Sequence, residues 1–473
     1  WRHQHWQRQG VYSPPGLPIL GHFLQFTNKT ELGWLFRDRI YKETRDTNIY
    51  GLYEFFKPDL SLGDTEALCN ICIKDFDHFV DRRSVAFDEG IFADMLTSAK
   101  GAHWKGIRSV MSPTFSSGKM KRMFHLVQEK SQALVEHCKR ERNVQCVVDL
   151  GDAFGKYTMD VIASCAFGMS TNTLQGENKD FMDAAGTIFK IDFIFIVRAI
   201  LAATCKPLYK LMDIYLPNRN LEHFVSIIRD VINKRDVAAR RGDFVDLMLD
   251  ARVSEQNVVH EGKISSYTMT ENSIIAQSVL FIVAGFDTTA STLKFAGHLL
   301  AKNQQQQDIL RKELQELARQ NEDGKLNYHD IMEGNYLDAV ISETLRLYPP
   351  GHVIERECTK EYKLPGTNII IPKGQLVSFP VYSIHRDERY FPDPEEFKPD
   401  RFFPENKKNI PRGAYVPFGI GPRMCIAQRF ALMKAKTGLA ELVLKYRLSL
   451  AEGHEELKFD TALGALKLLK DGY

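Results

Sequence analysis

The sequence predicts a mainly α-helical protein with a small β portion. The first observation is one long stretch, from about Thr268 to Leu300, with apolar periodicity and no proline. It reads as a helix of about 30 residues, roughly 45 Å long, enough to cross a domain. The second is a set of further helical stretches around 105–122, 157–168, 343–347 and 428–445. The third is that strand-like runs are short and confined to residues 48–63 and 351–380. At 473 residues, with 44% hydrophobic and 26% charged residues, the chain can bury a sizeable core as one large domain or as two or three ordinary ones. The formal net charge of +2 gives no reason to expect nucleic acid as a partner. Eight cysteines are too sparse for a disulfide scaffold and suit a reduced, cytosol-facing compartment. Cys69 and Cys72 form a C-x-x-C without a second pair, which reads as a helix face rather than a metal site. No run of about 18 apolar residues marks a membrane span.

Taken in order, the chain opens with a basic, tryptophan-bearing segment holding Trp1, Arg2, Trp6 and Arg8. It reads either as the flank of a removed anchor or as an arbitrary end. Pro14-Pro15-Gly16-Leu17-Pro18 is a stiff, turn-rich segment that cannot continue a helix. Residues 48–63 read as strands turning at Lys57-Pro58-Asp59. Residues 84–102, rich in Phe and Gly, read as a pocket-covering loop after Arg82-Arg83. Trp104 and Arg108 stand at i and i+4, hence on one helix face; together they suit a carboxylate or a cation–π pair. The helix ending at Gly168 reads as core. Residues 187–215 are unusually apolar, with Asp192 and Arg198 interrupting them; an access lid at a bilayer surface and a buried helix pair both fit. Residues 235–241 read as a charged connector and 250–266 as a polar loop.

Thr268 to Glu271 has the shape of a capping box for the long helix. Its midpoint, Ala284-Gly285-Phe286-Asp287-Thr288-Thr289, is costly for a helix: glycine and a β-branched pair are poor formers, and an acid amid apolar residues needs partners. A solvated kink is the plain account. Glu343 and Arg346 stand at i and i+3 on a helix stopped by Pro349-Pro350. Turns at Pro365-Gly366 and Pro372-Lys373-Gly374 punctuate the later strands. His385-Arg386-Asp387 resembles a kinase triplet only superficially, because no glycine-rich loop or Asp-Phe-Gly accompanies it. Residues 388–417 read as a structureless, proline-rich meander.

That meander feeds Phe418-Gly419-Ile420-Gly421-Pro422-Arg423-Met424-Cys425-Ile426-Ala427. The glycines and proline demand a tight turn. Cys425 stands just before a helix, where backbone N–H groups and the Arg423 charge favour a thiolate. A thiolate serves as nucleophile, metal ligand or redox partner; a buried structural cysteine is the plain alternative.

The stretch resembles the haem-binding loop of the cytochrome P450 family, Phe-x-x-Gly-x-Arg-x-Cys-x-Gly, with Ala427 in place of the last glycine. The W-x-x-x-R helix, the notch in the long helix, E-x-x-R and the proline-rich start follow in that family's order. The resemblance implies the P450 fold, a single large haem domain over 23–473 after a post-anchor segment and hinge at 1–22. It implies haem b (iron protoporphyrin IX), with Cys425 as the axial ligand to iron and Phe418 packed on its loop. Arg82, Trp104, Arg108, Arg356 and Arg423 would meet the propionates, and Ala284 would face the haem. Asp287 and Thr288 would be the acid–alcohol pair that delivers protons, at a local widening that admits O2 and water. Glu343, Arg346 and Arg401 would form a structural triad. Phe87, Phe92, Phe281, His352, Val353 and Leu463 would line the substrate pocket.

The implied activity is haem–thiolate monooxygenation of an apolar organic substrate (xenobiotic, steroid or fatty-acid-like), using O2 and NADPH electrons. Those electrons would come from NADPH-cytochrome P450 reductase, with cytochrome b5 a further partner. The reductase would dock where Lys105, Lys119, Lys121, Arg122, Arg429, Lys434 and Lys436 gather. The implied location is the cytosolic face of the endoplasmic reticulum membrane, as in microsomal, xenobiotic-metabolising and insect detoxification members. A haem–thiolate isomerase or dehydratase acting on peroxides and a haem-binding sensor are the rival readings.

Overall fold

The computed structural model describes residues 4–27, 32–83, 90–178, 182, 194, 197–198, 200–201, 205–215, 219–234, 243–253, 256–260, 263–454, 456–457, 459–460 and 467–468. The helices that position the site are α1 (Gly33–Glu43), α2 (Gly101–Met111), α3 (Ser117–Gln145), α4 (Leu150–Phe167), α5 (Glu271–Lys302), α6 (Asn335–Leu347) and α7 (Gln428–Lys445). The strands are β1 (Ile49–Glu54), β2 (Lys57–Leu62), β3 (Gln256–His260), β4 (Lys263–Tyr267), β5 (Ile354–Glu357) and β6 (Leu376–Phe379).

The long helix is the centre of the helical part. By length and mean hydropathy it could cross a membrane, but its apolar residues are mostly buried in the protein core. It packs against α4, α6 and α7. Its start differs from the expected one: Thr270, not Thr268, is the N-cap, and its Oγ1 accepts the Ser273 N–H at 3.0 Å. Met269 and Ile274 are both buried in the same core cluster. Those positions flank a hydrophobic staple, and burying Met269 sets Thr270 at the cap. Helix α4 ends as expected on Gly168, in the left-handed conformation at φ 59°.

The four-stranded sheet runs β1-β2-β6-β5. The β1–β2 pair is antiparallel, β2–β6 parallel and β6–β5 antiparallel. The β1–β2 turn falls at Phe55-Phe56, with Phe55 at φ 54°, so Lys57-Pro58-Asp59 belongs to β2 and is not the turn. Pro58 is tolerated because the parallel pairing of β2 with β6 begins one residue later, at Asp59. Trp6 is fully buried over Gly51 and donates from Nε1 to the Leu52 carbonyl at 3.0 Å. The segment around Trp6 is therefore seated on the sheet.

The described residues of 250–266 do not form the expected loop. They complete the helix Phe244–Val253 and form the β3–β4 hairpin. Val258, Val259 and Ile264 supply β-branched residues that the polar average of the segment hides. Within 388–417, the turns Pro399–Phe402 and Pro404–Lys407 are short helices. The apolar 187–215 stretch and the connector 235–241 lie largely or wholly outside the described residues; of the former, Lys206–Tyr215 is a helix with half-exposed Leu208 and Leu211.

Candidate active site

The cysteine loop turns as its glycines require. Gly419 and Gly421 adopt φ 74° and 75°, and a Cβ on Gly421 would collide with the Cys72 carbonyl. The Cys425 N–H donates to the Phe418 carbonyl at 2.8 Å, which closes the loop. The buried Arg423 guanidinium donates to the carbonyls of Val80 (2.8 Å), Leu96 (3.2 Å) and Ala99 (2.8 Å). It also stacks 4.0 Å from the Trp104 ring, so the cation–π partner of Trp104 is Arg423.

The loop is held from behind. Glu343 and Arg346 are fully buried and paired twice, at 2.7 and 2.8 Å. Arg401 Nε joins at 3.3 Å, and the Lys398 N–H donates to Glu343 at 2.9 Å. Arg346 also donates to the His385, Pro394 and Glu396 carbonyls, which pins the meander. The triad expected from sequence is thus assembled. His385 is a residue that the sequence reading missed. Its Nε2 accepts the Val416 N–H at 2.9 Å, so its Nδ1–H donates to the Arg346 carbonyl at 3.2 Å. Burial, with Arg346 beside it, pushes its pKa down to about 3. Only proximity to Arg346 in space reveals this role; no spacing does.

A cavity of about 470 Å³ lies between α5 and the cysteine loop. Ala284 and Thr288 line it from the helix, and Phe418 and Cys425 from the loop. Arg82, Trp104, Arg108, Arg356 and Arg423 gather along its wall. Phe281 and Val353 add apolar surface. The helix runs unbroken as α-helix through the notch, where a widening was expected. Thr288 Oγ1 donates back to the Ala284 carbonyl at 2.6 Å.

Among the described residues, no carboxylate lies within ion-pair distance of Arg82, Arg108 or Arg356. Arg356 is 1% exposed and its Nε has no partner in the structure. Arg82 is pushed down to about 10 by burial and by Arg356. Arg423 is pushed down to about 8 by burial and Arg82, although Asp81 stands 3.5 Å away. Arg83, by contrast, is paired with Glu54 and Glu355 and is structural. Half-buried and buried cations short of anions call for an anionic ligand, and their gathering on one cavity suits a group with two carboxylates.

The thiol meets a different balance from the expected one. Burial pushes Cys425 above its ordinary value, while the Ala427 N–H, Arg82, Arg108 and Lys434 pull it down. The desolvating surroundings outweigh these groups, although Cys425 itself is exposed to the cavity it lines. A bound metal would make it a thiolate. Among the described residues no cluster of three or more His, Cys, Asp or Glu could hold a metal. One thiol and several arginines on the same cavity fit a group that brings carboxylates and a metal of its own.

Several expected pocket residues stand elsewhere. Asp287 is half-buried but not on the cavity wall, because one helical residue turns it about 100° from Thr288. His352 is buried beside Trp34, with ring centroids 5.7 Å apart, rather than on the wall between Gly351 and Val353. Alternation along an extended segment sends it the other way. Phe92 packs against the core cluster and does not line the cavity. Phe87 and Leu463 lie outside the described residues. Lys434 and Lys436 are not surface residues: they are 0% and 1% exposed. Lys436 donates to the Met332 carbonyl and pairs with Asp338, both at 2.9 Å. Lys434 Nζ donates to the Gly285 carbonyl at 2.9 Å, and burial drives it down to about 7. All eight cysteines are free.

The family model described as Cytochrome P450 matches residues 12–472. Cytochrome P450 9e2 of Blattella germanica is 35% identical, over 95% of this chain and 89% of its own. Cytochrome P450 3A31 of Mesocricetus auratus is 35% identical, over 93% and 86%. Cytochrome P450 6j1 of Blattella germanica is 34% identical, over 94% and 87%.

Proposed function

From the premise that the chain belongs to the cytochrome P450 family, and is a haem-dependent monooxygenase of that family's fold, we propose how its own residues serve the reaction. The proposed reaction inserts one oxygen atom of O2 into a small apolar organic substrate. NADPH electrons reach it from NADPH-cytochrome P450 reductase, with cytochrome b5 as a second donor. The observation that carries the residue assignment is that Arg82, Arg108 and Arg356, with no carboxylate partner among the described residues, border the same cavity as the Cys425 thiol.

Haem b supplies the iron that activates O2 and takes the electrons. Cys425 would hold that iron through its sulfur, and the triad and His385 keep the sulfur in place. Arg82, Arg108, Arg356 and Arg423 bind its carboxylates, with Trp104 as an aromatic platform under Arg423. Ala284 leaves room on the opposite wall. The Thr288 hydroxyl, now bonded to the Ala284 carbonyl, turns to hold a water and pass a proton at Oγ1. Asp287 acts from one residue away, as the source of that proton through water. Phe281 and Val353 exclude bulk water and orient an apolar substrate.

The reductase docks on the face where Lys105, Lys119, Lys121, Arg122 and Arg429 lie; the buried Lys434 and Lys436 take no part. The enzyme works at the cytosolic face of the endoplasmic reticulum membrane.

Two measurements test the reading. The ferrous–CO spectrum of the haem-loaded protein should show the band of thiolate-ligated haem, and Cys425→Ser should lose it. Product from apolar substrates should require NADPH and reductase. Rearrangement of a fatty-acid hydroperoxide without reductase, and no NADPH-dependent product, would identify an isomerase instead.

A further inference from the structure

Three consecutive carbonyls of α5 each receive a side-chain donor. Thr288 Oγ1 reaches the Ala284 carbonyl at 2.6 Å, from within the helix. Lys434 Nζ reaches the Gly285 carbonyl at 2.9 Å, from α7. Thr158 Oγ1 reaches the Phe286 carbonyl at 3.1 Å, from α4, sharing its proton with the Gly155 carbonyl at 3.0 Å. In a regular helix each of these oxygens serves one N–H four residues on. A second donor competes for it, tilts the carbonyl off the axis and loosens that turn.

Lys434 is an unusual choice for a packing residue. It is fully buried, and among the described residues no carboxylate pairs with it. Its neighbours are the Gly285 carbonyl and the Phe430 ring, 4.9 Å away. An apolar side chain of similar length would fill the space without an ammonium to desolvate. Gly285 is closely packed on its other side: a Cβ there would stand 2.9 Å from Ile162 Cδ1, while Lys434 Nζ at 3.7 Å would remain in ordinary contact. Gly285, Thr288 and Lys434 also border the same cavity.

We propose that Lys434 and Thr158 are positioning residues that weaken the α5 turn beside Thr288, which is closed α-helix here, so that it opens readily to water and a proton. They act through the Gly285 and Phe286 carbonyls and do not touch substrate. The functional half of this inference rests on the monooxygenase reading; the structural half does not.

The test uses the full-length haem-loaded enzyme and the variants Lys434→Met, Lys434→Gln and Thr158→Val. Hydrogen exchange is followed at the Thr289 and Ala290 amides, whose helical acceptors are Gly285 and Phe286. Removing the competing donor returns each carbonyl to the helix. Lys434→Met should therefore slow exchange at Thr289 by about tenfold, the factor one charged hydrogen bond supplies. Thr158→Val should slow Ala290 by less. Lys434→Met should also lower product formed per NADPH consumed, with the substrate-binding spectrum unchanged. Lys434→Gln, which restores an N–H donor, should recover part of both effects. Exchange that speeds up along the whole turn, or does not change, would overturn the proposal and leave Lys434 a packing residue. Slower exchange with unchanged coupling would overturn its functional half. Wild-type enzyme that makes no NADPH-dependent product would instead defeat the monooxygenase reading, while the exchange result still decides the contact.

Discussion

Two sets of buried and half-buried arginines flank the cysteine loop, and they are satisfied in opposite ways. Behind the loop, Arg346 is paired twice with Glu343 and donates to three backbone carbonyls. Facing the cavity, Arg82 and Arg108 donate to the carbonyls of Arg423 and Met424, and Arg356 keeps an unpartnered Nε. The first set is complete without any ligand. The second is complete only when an anion arrives. The same residue type is a strut in one place and a receptor in the other, and the difference is whether the protein supplies the counter-charge.

The contrast predicts opposite responses to losing one member. Glu343→Gln leaves Arg346 buried with its charge uncompensated. A cost of about 3–5 kcal/mol is expected, a large share of a typical stability margin. The measurement is the yield of soluble protein and its thermal unfolding; a variant as stable as wild type would break the comparison. Arg356→Leu should do the reverse in the absence of haem. It removes an unpaired buried cation, so the haem-free protein should be no less stable. The haem-loaded protein should lose its haem about tenfold faster, in keeping with one lost charged hydrogen bond. Competition for haem by an excess of an apo-haem protein reads this directly.

A smaller effect sharpens the same point through pH. His385 is held neutral, with its pKa lowered from 6.5 to about 3, because burial and Arg346 both oppose a second charge. A lowered folded value means that the unfolded chain binds the extra proton first. Stability from this site is therefore full above about pH 6.5 and is lost as pH falls towards about 3. The slope is about 1.4 kcal/mol per pH unit for one such proton. His352, also lowered to about 3 by burial and Arg37, should add a second. His385→Gln should be less stable at neutral pH yet show the shallower acid slope in denaturant titrations at stepped pH. An unchanged slope would show that His385 is not held neutral by the strut.

Motifs carried by local spacing were legible before the structure. The turn around Cys425, the Trp104–Arg108 face, the Glu343–Arg346 pair and the long helix all rest on short-range periodicity and backbone sterics. Errors arose where local pattern was ambiguous. Thr268 and Thr270 are equally good caps in sequence, and burial of Met269 decides between them. Lys57-Pro58-Asp59 looks like a turn until strand pairing shows where the register starts. Lysines on α7 look like solvated charges, yet Lys434 and Lys436 face α5 and Asp338 inside the core.

By itself, then, the sequence determined the family, its haem-dependent chemistry and the helical class, and singled out Cys425 as the proposed ligand, because each is written in residues close together along the chain. Only the tertiary structure decided which charges are compensated. The Glu343–Arg346 pair was legible, but its complete burial, and the unpartnered Nε of Arg356 beside the cavity, were not. The tertiary structure also decided that Thr288 faces the cavity while Asp287 turns aside, and that Lys434 reaches the notch from another helix. Counter-charges and donors come from segments up to hundreds of residues apart, and desolvation, which sets their value, exists only once those segments pack.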